Sequence, residues 1–348
     1  MIIVTGALGF IGSCFISFLN QNGIEDIVAV DDFSKKEKDI NLANAKIHAR
    51  IERDALLDWF DKNHPSVSCV VHLGARTDTT EFDRSIFLKL NLDYSRYLFL
   101  LCQKYSKPII YASSAATYGA GELGYSDSDD ALTLKLKPLN PYGDSKQDFD
   151  KWLILMAESR EEMNKLSFLG GDLAELPFWA GLKFFNVYGP NEYHKGRMAS
   201  TIFHFTNQIQ AQGAVNLFKS HRPDFTDGEQ KRDFIYVKDV VKVLFWFYKK
   251  AVEKTAETPP SVKSGVYNLG TGKARTFNDL VEQVFKNLDK PLTVNYIPIP
   301  EDIRETYQYF TEADIKKLQS AGYTDAFTSL EDGIADYIQH YLLQHKYM

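Results

Sequence analysis

A tyrosine and a lysine stand four residues apart in the run Asn140-Pro141-Tyr142-Gly143-Asp144-Ser145-Lys146. Since a proline favours the start of a helix, Tyr142 and Lys146 are predicted to project from one helix face. A tyrosine acts as a general base only if its pKa falls toward neutrality, which a nearby ammonium group and a positive nicotinamide ring both favour. The pair therefore predicts proton transfer beside a nicotinamide, provided that a dinucleotide site lies nearby.

The opening of the chain predicts that site. The apolar run Ile2-Ile3-Val4 predicts a buried strand, and Gly6, Gly9 and Gly12 follow it directly before a helical apolar pattern. A pyrophosphate must touch backbone N–H groups at the positive end of a helix, and larger side chains would block it. Strand, glycine turn and helix together predict dinucleotide binding.

Two further strands are predicted to end at the same crevice. One runs from Ser68 to Leu73 into Gly74-Ala75-Arg76, and the small residues at its end allow a cofactor to approach closely. The other runs from Pro108 and ends in Ser113 and Ser114, whose polar side chains are predicted to face the ligand. His72, within the first of these strands, is interpreted as a packed core histidine.

The residues after the second predicted strand leave the cofactor's identity open. Asp31-Asp32 ends that strand, and an acid there accepts hydrogen bonds from ribose hydroxyls, which favours NAD. A 2′-phosphate needs cations, and NADP is favoured by the basic residues that follow, although a solvated loop would have the same pattern. These residues are Lys35, Lys36, Lys38, Arg50 and Arg53.

A local excess of cations later in the chain suits a diphosphate-linked substrate, with a merely solvated face as the alternative. It comprises Lys195, Lys219, Arg222, Lys231 and Arg232.

The alternation of strands and helices predicts an α/β fold, a Rossmann doubly wound parallel sheet with a smaller mixed C-terminal substrate-binding domain. We predict that residues 1–186, with 234–268 returning, form the dinucleotide-binding domain. Residues 187–233 and 269–348 are predicted to form the second domain. Single helices are predicted over residues 86–104 and 311–320, and an irregular stretch over 158–180.

Composition restricts the class of partner. The 348-residue chain carries a formal net charge of −6, which argues against general binding to nucleic acid or to a membrane surface. Cys14, Cys69 and Cys102 show no metal-ligand spacing, so we expect no metal and read them as reduced core residues of a cytoplasmic protein. A strand beginning at residue 2 is expected to leave no room for a signal peptide, and no apolar run is long enough to span a bilayer.

Taken together, these landmarks resemble the extended short-chain dehydrogenase/reductase family, in which NAD-dependent epimerases and dehydratases belong. Within that family the chain is similar to the branch that epimerises an ADP-linked heptose, and the string His194-Lys195-Gly196-Arg197-Met198-Ala199-Ser200 discriminates best, since other sugar epimerases usually lack it. The motifs shared with the whole family are Gly6-x-x-Gly9-x-x-Gly12, Ser113-Ser114, Tyr142-x-x-x-Lys146, Phe185-Asn186-Val187-Tyr188-Gly189-Pro190, Arg232-Asp233-Phe234-Ile235-Tyr236-Val237-Lys238-Asp239 and Tyr267-Asn268-Leu269-Gly270. The other strings shared with the branch are Thr79-Thr80-Glu81-Phe82-Asp83, Tyr111-Ala112-Ser113-Ser114-Ala115-Ala116-Thr117-Tyr118-Gly119, Lys231-Arg232-Asp233-Phe234, Gln308-Tyr309-Phe310-Thr311-Glu312-Ala313-Asp314 and Ala321-Gly322-Tyr323.

The resemblance implies roles for named residues. Tyr142 and Lys195 are implied as the acid and base on the two faces of the sugar, with the direction in which each acts left open. Lys146 is implied to contact the nicotinamide ribose and to lower the tyrosine pKa, and Ser114 to hydrogen-bond the reacting oxygen. The implied cofactor is NADP, with NAD possible, held by Gly6, Gly9, Phe10, Ile11, Gly12, Asp31, Asp32, Lys38, Arg53, Leu73, Gly74, Ala75, Arg76, Thr77, Asn91, Tyr142, Lys146 and Val187. The implied substrate contacts are Ser114, Asn186, Val187, Arg197, His204, Phe218, Lys219, Ser220, His221, Arg232 and Tyr307.

The implied reaction is epimerisation at C6″ through a transient 6″-ketone, in the supply of heptose for the lipopolysaccharide inner core, by a homo-oligomer that is a pentamer by family analogy. A UDP-hexose 4-epimerase and a non-catalytic dinucleotide-sensing protein are the alternatives. A 4,6-dehydratase is disfavoured because Ala115-Ala116 stand where that class carries an Asp-Glu pair. The chain departs from the family where Arg53 replaces a usual lysine, and where residues 158–180 and 223–230 form longer segments.

Overall fold

The computed structural model describes residues 1–79, 81–166, 176–253, 262–304 and 307–348, without the side chains of residues 161–166 and 302. Thr80 of the shared strings and the centre of the 158–180 segment lie outside these residues. The ends of that segment are regular rather than irregular, because a helix extends to Leu166 and a strand begins at Trp179.

A seven-stranded sheet forms the centre of the molecule, and all of its neighbouring strands are parallel. The strands in chain order are β1 (Ile2–Thr5), β2 (Ile27–Asp31), β3 (Ala49–Glu52), β4 (Cys69–His72), β5 (Ile109–Ser114), β6 (Trp179–Phe184) and β10 (Gly265–Leu269). Their order across the sheet is β3-β2-β1-β4-β5-β6-β10. Successive strands are therefore added outward from β1 on one side, through β2 and β3, and then from β4 on the other side. Doubly wound sheets bind ligands at this switch between β1 and β4, and the predicted Rossmann fold is confirmed.

Helices cover both faces of this sheet, which explains why inner strands such as β1, β2 and β4 are runs of buried residues. The α-helices are α1 (Phe10–Gln21), α2 (Leu56–Asn63), α3 (Arg84–Phe87), α4 (Tyr94–Lys104), α5 (Asp130–Thr133), α6 (Pro141–Leu166), α7 (Thr201–Gln212), α8 (Val237–Val252), α9 (Phe277–Asn287), α10 (Glu301–Arg304), α11 (Lys316–Ser320) and α12 (Leu330–Tyr337). Ile2 and Val4 join the core formed with α1 and α8, whereas Ile3 joins the core formed with α2, α4 and α6. The period-two alternation of a strand thus fills both cores from β1.

Two small sheets lie outside the central one. They contain β7 (Asn186–Tyr188), β8 (Val215–Phe218), β9 (Lys231–Tyr236), β11 (Ala274–Thr276) and β12 (Val294–Ile297). In one sheet β9 pairs in parallel with β7 and in antiparallel with β11, and in the other β8 and β12 are parallel. The smaller mixed part of the predicted fold is therefore present, while the domain boundaries stay a prediction.

Two predicted helices differ from the structure. The helix expected over residues 86–104 starts at Arg84 and is interrupted by a wide π-helical turn, Leu88–Asp93, which contains the buried Asn91. The helix expected over 311–320 is confined to Lys316–Ser320, because the backbone before it pairs with β9: Thr311 N–H donates to Lys231 O at 3.2 Å.

No helix in the described part of the chain combines the length and the apolar character needed to cross a membrane.

Candidate active site

A cleft of about 810 Å³ opens at the carboxyl ends of β1, β4 and β5. The N-terminal ends of α1 and α6 and the turn Tyr193–Met198 also line it. All the predicted cofactor residues except Asn91 line this cleft. The sequence motifs, which are separated by up to about half the chain, therefore meet at one place.

The glycine turn leaves room for phosphate oxygens. Gly6 has φ +68°, and a Cβ there would lie 2.8 Å from the backbone of Gly74. A Cβ on Gly12 would lie 2.1 Å from the carbonyl oxygen of Gly6. The cap residue of α1, Gly9, provides no side-chain hydrogen bond, so the first N–H groups of the helix can bind an anion. These features fit the pyrophosphate of a dinucleotide.

The acids after β2 have backbone partners in the structure. The two carboxylate oxygens of Asp31 accept hydrogen bonds from Leu8 N–H at 2.9 Å and Asp32 N–H at 2.8 Å. Asp32 accepts from the hydroxyl of Ser34 at 2.5 Å, and this bond is the main reason that the pKa of Asp32 is lowered. Asp31 therefore ties the glycine turn to β2, and both acids line the cleft.

The basic residues near these acids divide into two groups. Lys35, Lys38 and Arg53 line the cleft. Lys36 and Arg50 instead pair with Asp39, at 3.7 Å and 3.8 Å. Arg53 also pairs with Asp54 at 2.9 Å. The three cleft-lining cations give this part of the cleft positive charge, which a 2′-phosphate requires.

Tyr142 and Lys146 lie at the start of α6 and line the cleft together with Ser114. The Lys146 ammonium donates to the carbonyl oxygen of Ala112 at 2.8 Å, and burial lowers the pKa of Lys146 to about 8 against the opposing effect of Asp150. Burial raises the pKa of Tyr142, and a side-chain hydrogen bond with Ser114 opposes that rise. The protein groups alone thus do not produce the lowered tyrosine pKa that the sequence predicts, because loss of hydration outweighs their attraction.

A buried ion pair that no sequence motif indicates lies beneath Tyr142 and Lys146. Lys183 on β6 donates to Asp150 at 3.0 Å and to the Thr117 hydroxyl at 2.6 Å, and both charged side chains are fully buried. Asp150 also accepts from Tyr111 at 2.9 Å and Ser113 at 2.6 Å. Asp150 follows Lys146 by four residues, a spacing that could have indicated a shared helix face.

Lys195 faces the cleft from the turn Tyr193–Met198. Its ammonium lies 5.2 Å from the ring centroid of Phe10, the first residue of α1. Burial lowers the pKa of Lys195, while the carboxylate of Glu192 opposes this effect. Arg197, the predicted substrate residue on the same turn, is exposed and is not among the residues that line the cleft.

The predicted substrate residues lie only partly in the cleft. Ser114, Asn186 and Val187 line it, whereas Arg232 and Tyr307 form a group beside it. The Arg232 guanidinium is 5.3 Å from the ring centroid of Tyr307 and 5.7 Å from that of Phe277, a cleft residue that no sequence pattern identifies. Phe218 packs on Tyr307 with ring centroids 5.8 Å apart, which extends this aromatic and basic group away from the cleft.

Other predicted site residues make hydrogen bonds within the protein. Asn91 donates to Arg76 O at 3.0 Å and accepts from Arg76 N–H at 2.8 Å, so it fixes the backbone of the segment after β4. His221 accepts from Ile299 N–H at 3.2 Å, and Ser220 N–H donates to Asp227 at 2.8 Å. Lys219 and His204 are not among the residues that line the cleft.

The cations expected to bind a diphosphate are not gathered in one place. Arg222 pairs with Asp224 at 2.5 Å in the 223–230 segment, and Lys231 is exposed. Only Lys195 of that set lines the cleft, while Arg232 reaches it through its contact with Phe277.

His72 is a core residue, as predicted. Its Nδ1 lies 2.7 Å from the Thr5 hydroxyl and its Nε2 2.9 Å from the Ser95 hydroxyl. Burial lowers the pKa of His72 to about 3, so the ring is neutral and links β1, β4 and α4.

Comparison with known proteins identifies relatives over nearly the whole chain. The model of the NAD dependent epimerase/dehydratase family matches residues 2–270. Proteins named ADP-L-glycero-D-manno-heptose-6-epimerase from Fusobacterium nucleatum and Nitratidesulfovibrio vulgaris are 45% and 48% identical, each over 98% of both chains. The crystal structure of the Helicobacter pylori protein of that name superimposes with a TM-score of 0.73 at 26% identity, covering 97% of this chain and 95% of that one.

Proposed function

The chain belongs to the NAD-dependent epimerase/dehydratase family, and we propose that it converts ADP-D-glycero-β-D-manno-heptose into ADP-L-glycero-β-D-manno-heptose by inverting C6″. The observation that carries this proposal is that Tyr142 and Lys195, two groups able to transfer protons, line one cleft with the glycine turn. The names of the relatives favour the heptose substrate over a UDP-hexose. The retained tyrosine and lysine disfavour a non-catalytic sensor.

The proposed reaction needs a proton acceptor on one face of the sugar and a proton donor on the other. NADP, when bound, would take the hydrogen of C6″ as hydride and return it to the opposite face of the 6″-ketone. Tyr142 Oη and Lys195 Nζ remove and restore the hydroxyl proton, one on each face. The Ser114 hydroxyl oxygen accepts from Ala116 N–H at 3.1 Å, so its hydrogen can be donated to the reacting oxygen.

Several residues would hold the cofactor. The first N–H groups of α1 would bind the pyrophosphate, and the ammonium of Lys146 would donate to the nicotinamide ribose. Lys35, Lys38 and Arg53 support NADP over NAD because three cations line the cleft beside Asp31 and Asp32. The positive charge of the bound nicotinamide would favour the tyrosinate form of Tyr142, which burial alone disfavours.

The first test is turnover of ADP-D-glycero-β-D-manno-heptose by the purified chain, with the product assigned by NMR and the cofactor identified by mass spectrometry after denaturation. We expect the L-glycero epimer and NADP. Epimerisation of a UDP-hexose in its place would support the alternative function, a UDP-hexose 4-epimerase. Recovery of NAD would overturn the proposed cofactor and leave the proposed substrate unaffected.

Variants test the two proton-transfer groups. Tyr142→Phe and Lys195→Met should each lower kcat by roughly 10²- to 10⁴-fold, because each removes one general acid or base. Matched controls are Tyr97→Phe and Lys316→Met, whose side chains are largely exposed and lie outside the cleft. Unchanged turnover in Tyr142→Phe would exclude it as the assigned acid or base.

We further propose that the product supplies heptose for the lipopolysaccharide inner core, that the chain acts in the cytoplasm, and that it forms a homo-oligomer. The family analogy suggests a pentamer, and sedimentation velocity of the purified chain measures it. A monomer at micromolar concentration would contradict this last proposal.

A further inference from the structure

Lys183, Asp150 and Thr117 form a buried polar group behind the end of β5, and all three residues are fully buried. The Lys183 ammonium donates to Asp150 at 3.0 Å and to the Thr117 hydroxyl at 2.6 Å. It also lies 5.1 Å from the ring centroid of Tyr118. Two hydrogen bonds and an aromatic face therefore fix the ammonium in place. The proposed reaction assigns no role to this group.

Thr117 connects the buried group to Ser114. Its hydroxyl accepts from Lys183 and donates to the carbonyl oxygen of Ser114 at 2.8 Å. The Ser114 side chain caps the short turn Ala115–Tyr118, where its oxygen accepts from Ala116 N–H at 3.1 Å. Ser114 lines the cleft, whereas Thr117 and Lys183 are not among the residues that line it. The buried group thus reaches the cleft through the backbone and the turn of Ser114.

The neighbours of Ser114 on β5 are held in the same way. Tyr111 and Ser113 donate to the two carboxylate oxygens of Asp150, at 2.9 Å and 2.6 Å. The Lys146 ammonium donates to the carbonyl oxygen of Ala112 at 2.8 Å. Each residue from 111 to 114 is therefore hydrogen-bonded to this group or to Lys146, so the last four residues of β5 are fixed as a unit.

Stability alone does not account for this arrangement. A buried ion pair stabilises a fold no better than well-packed apolar side chains of similar volume, which are often neutral or more stabilising in its place. A fully hydrogen-bonded polar group instead selects one geometry, because each donor has a single acceptor in range. Lys183 and Asp150 are therefore better explained by the placement of the residues at the end of β5 than by the free energy of folding.

We propose that Thr117 and Lys183 are positioning residues for epimerisation, which fix the turn after β5 so that the Ser114 hydroxyl meets the reacting oxygen. The proposal rests on the function proposed above, because that function makes Ser114 a hydrogen-bond donor to the substrate. Thr117 and Lys183 act through Ser114 and do not touch the substrate. A donor aimed at a developing charge tolerates little displacement, and a misplacement of about 1 Å can lower the rate roughly 100-fold.

The test is a double-mutant cycle between Thr117→Val and Ser114→Ala. Thr117→Val keeps the shape of the side chain and removes its hydroxyl. Ser114→Ala removes the proposed donor and keeps the carbonyl oxygen that Thr117 binds. We expect Thr117→Val to lower kcat and kcat/KM together, by roughly 10- to 100-fold, with KM little changed. In the Ser114→Ala background it should lower kcat by no more than about twofold, since no donor remains to be misplaced.

Two control variants accompany the cycle. Thr117→Ser retains the hydroxyl and should restore kcat. Thr206→Val is the matched structural control, because Thr206 is also buried, its hydroxyl also donates to a backbone carbonyl, that of Ile202, at 2.8 Å, and it is not among the residues that line the cleft. It should leave kcat unchanged, whatever its effect on Tm. Lys183→Met is not used in the cycle, because it also leaves Asp150 without its counter-ion.

A purely bracing role for Thr117 predicts a lower Tm in Thr117→Val with unchanged kcat at temperatures well below that Tm. That result would overturn the proposal, and so would an equal fold-loss of kcat in the presence and absence of the Ser114 hydroxyl. Both results leave the proposed role of Ser114 intact. Full kcat in Ser114→Ala would instead defeat the role of Ser114 in the proposed function, and with it the positioning role.

A second measurement does not depend on turnover. Crystal structures of the unaltered chain, Thr117→Val and Thr117→Ser give the position of Ser114 Oγ directly. We expect this oxygen to be displaced in Thr117→Val and to keep its position in Thr117→Ser. An unmoved Ser114 hydroxyl in Thr117→Val would overturn the positioning role, whichever nucleotide sugar the protein converts.

Discussion

Burial disfavours the charge of Lys146, whereas its proposed contact with the nicotinamide ribose uses the ammonium as a donor. Its side chain is only 6% exposed, and its ammonium donates to a backbone carbonyl. Burial lowers its pKa from 10.5 in the unfolded chain to about 8. Below pH 8 the folded protein must keep a charge in a site that disfavours it, which destabilises the fold.

Replacement of this lysine should therefore stabilise the protein while abolishing turnover. Lys146→Met should raise the free energy of unfolding at pH 7 by up to about 3 kcal/mol, the value that a pKa difference from 10.5 to about 8 represents. Because the unfolded chain binds more protons between those two values, the unaltered protein gains stability as pH rises through them, and the gap to the variant closes. Urea unfolding of the variant and the unaltered chain at pH 7 and at pH 10 measures the difference in their free energies of unfolding at each pH.

A variant that is less stable than the unaltered chain at pH 7 would contradict this expectation. A control position must carry a positive charge without supporting the fold. Arg304 does not qualify, because its guanidinium donates to Ile299 O at 3.0 Å. Lys316→Met, at an exposed position, serves as the control and should leave the pH dependence unchanged.

Single residues can be predicted from the sequence where their chemistry depends on near neighbours. Tyr142 and Lys146 are four residues apart on one helix, and Gly6, Gly9 and Gly12 lie in one turn, so local spacing is enough. Asn91, which is predicted to contact the cofactor, binds the backbone of Arg76, and its contact with the cofactor stays a prediction. Its orientation depends on the π-helical turn around it, which no residue pattern in that segment indicates.

At the scale of elements, the contact between the glycine turn after β1 and α1 depends on Gly12. A methyl group there would lie 2.1 Å from the carbonyl oxygen of Gly6, which is backbone and cannot rotate away. Gly12→Ala should shift the N-terminus of α1, lower Tm by several degrees, and weaken binding of the proposed cofactor, measured as NADPH, by roughly tenfold or more, because the N–H groups proposed to hold its pyrophosphate move. Thermal unfolding and the fluorescence of bound NADPH measure these effects.

Gly23 offers the control for this substitution. It lies in a turn with φ +75°, and among the described residues no atom comes within 4 Å of the position of a Cβ. Gly23→Asn, a residue that accepts positive φ, should leave NADPH binding unchanged. Equal binding in Gly12→Ala and the unaltered chain would show that the turn does not need this close approach.

The pair between α6 and β6 is the second element-scale contact with a measurable consequence. Lys183→Met would leave Asp150 charged and fully buried without its counter-ion. We expect a loss of about 3–5 kcal/mol in the free energy of unfolding, because the cost of the unpaired charge is not offset. The exposed pair of Lys104 and Asp61 is the control, and Lys104→Met should cost far less.

Urea unfolding of both variants measures the difference between the buried and the exposed pair. A loss in Lys183→Met no larger than the loss in Lys104→Met would contradict this expectation.

The inner strands β1, β2 and β4 can be predicted because each is a run of buried residues. The edge strand β3, Ala49–Glu52, alternates apolar and charged residues and carries a weaker signal. The pairing of β8 with β12 cannot be predicted in this way. Val215 pairs with Val294, almost eighty residues further along the chain, and both strands are too short to show a clear period in their own residues. Such a pairing is decided by tertiary packing, and local sequence does not specify it.

At the scale of the whole molecule, one apolar core crosses the predicted domain boundary. Phe15 of α1 and Leu244 of α8 belong to the same cluster as Ile202 of α7, Leu280 of α9 and Tyr337 of α12. The second predicted domain thus shares its core with one face of the central sheet. The parts of a shared core are expected to unfold together.

Equilibrium unfolding should accordingly show one transition. Tryptophans lie on both sides of the sheet, with Trp152 packed against one core and Trp246 against the other. Tryptophan fluorescence and far-ultraviolet circular dichroism should give the same urea midpoint. Two separated midpoints would indicate that residues 187–233 and 269–348 unfold independently, as two autonomous domains would.

The hydrogen bonds of Asp31 limit how this protein could evolve. Because Asp31 holds Leu8 and Asp32 through their backbone N–H groups, a substitution there disturbs the glycine turn whichever dinucleotide is bound. Lys35, Lys38 and Arg53 carry no such constraint from the turn. If NADP is the cofactor, as proposed, the cofactor preference can be changed through the three cations, one at a time, while the acid stays fixed. For an engineer, these are the three positions at which to build a library.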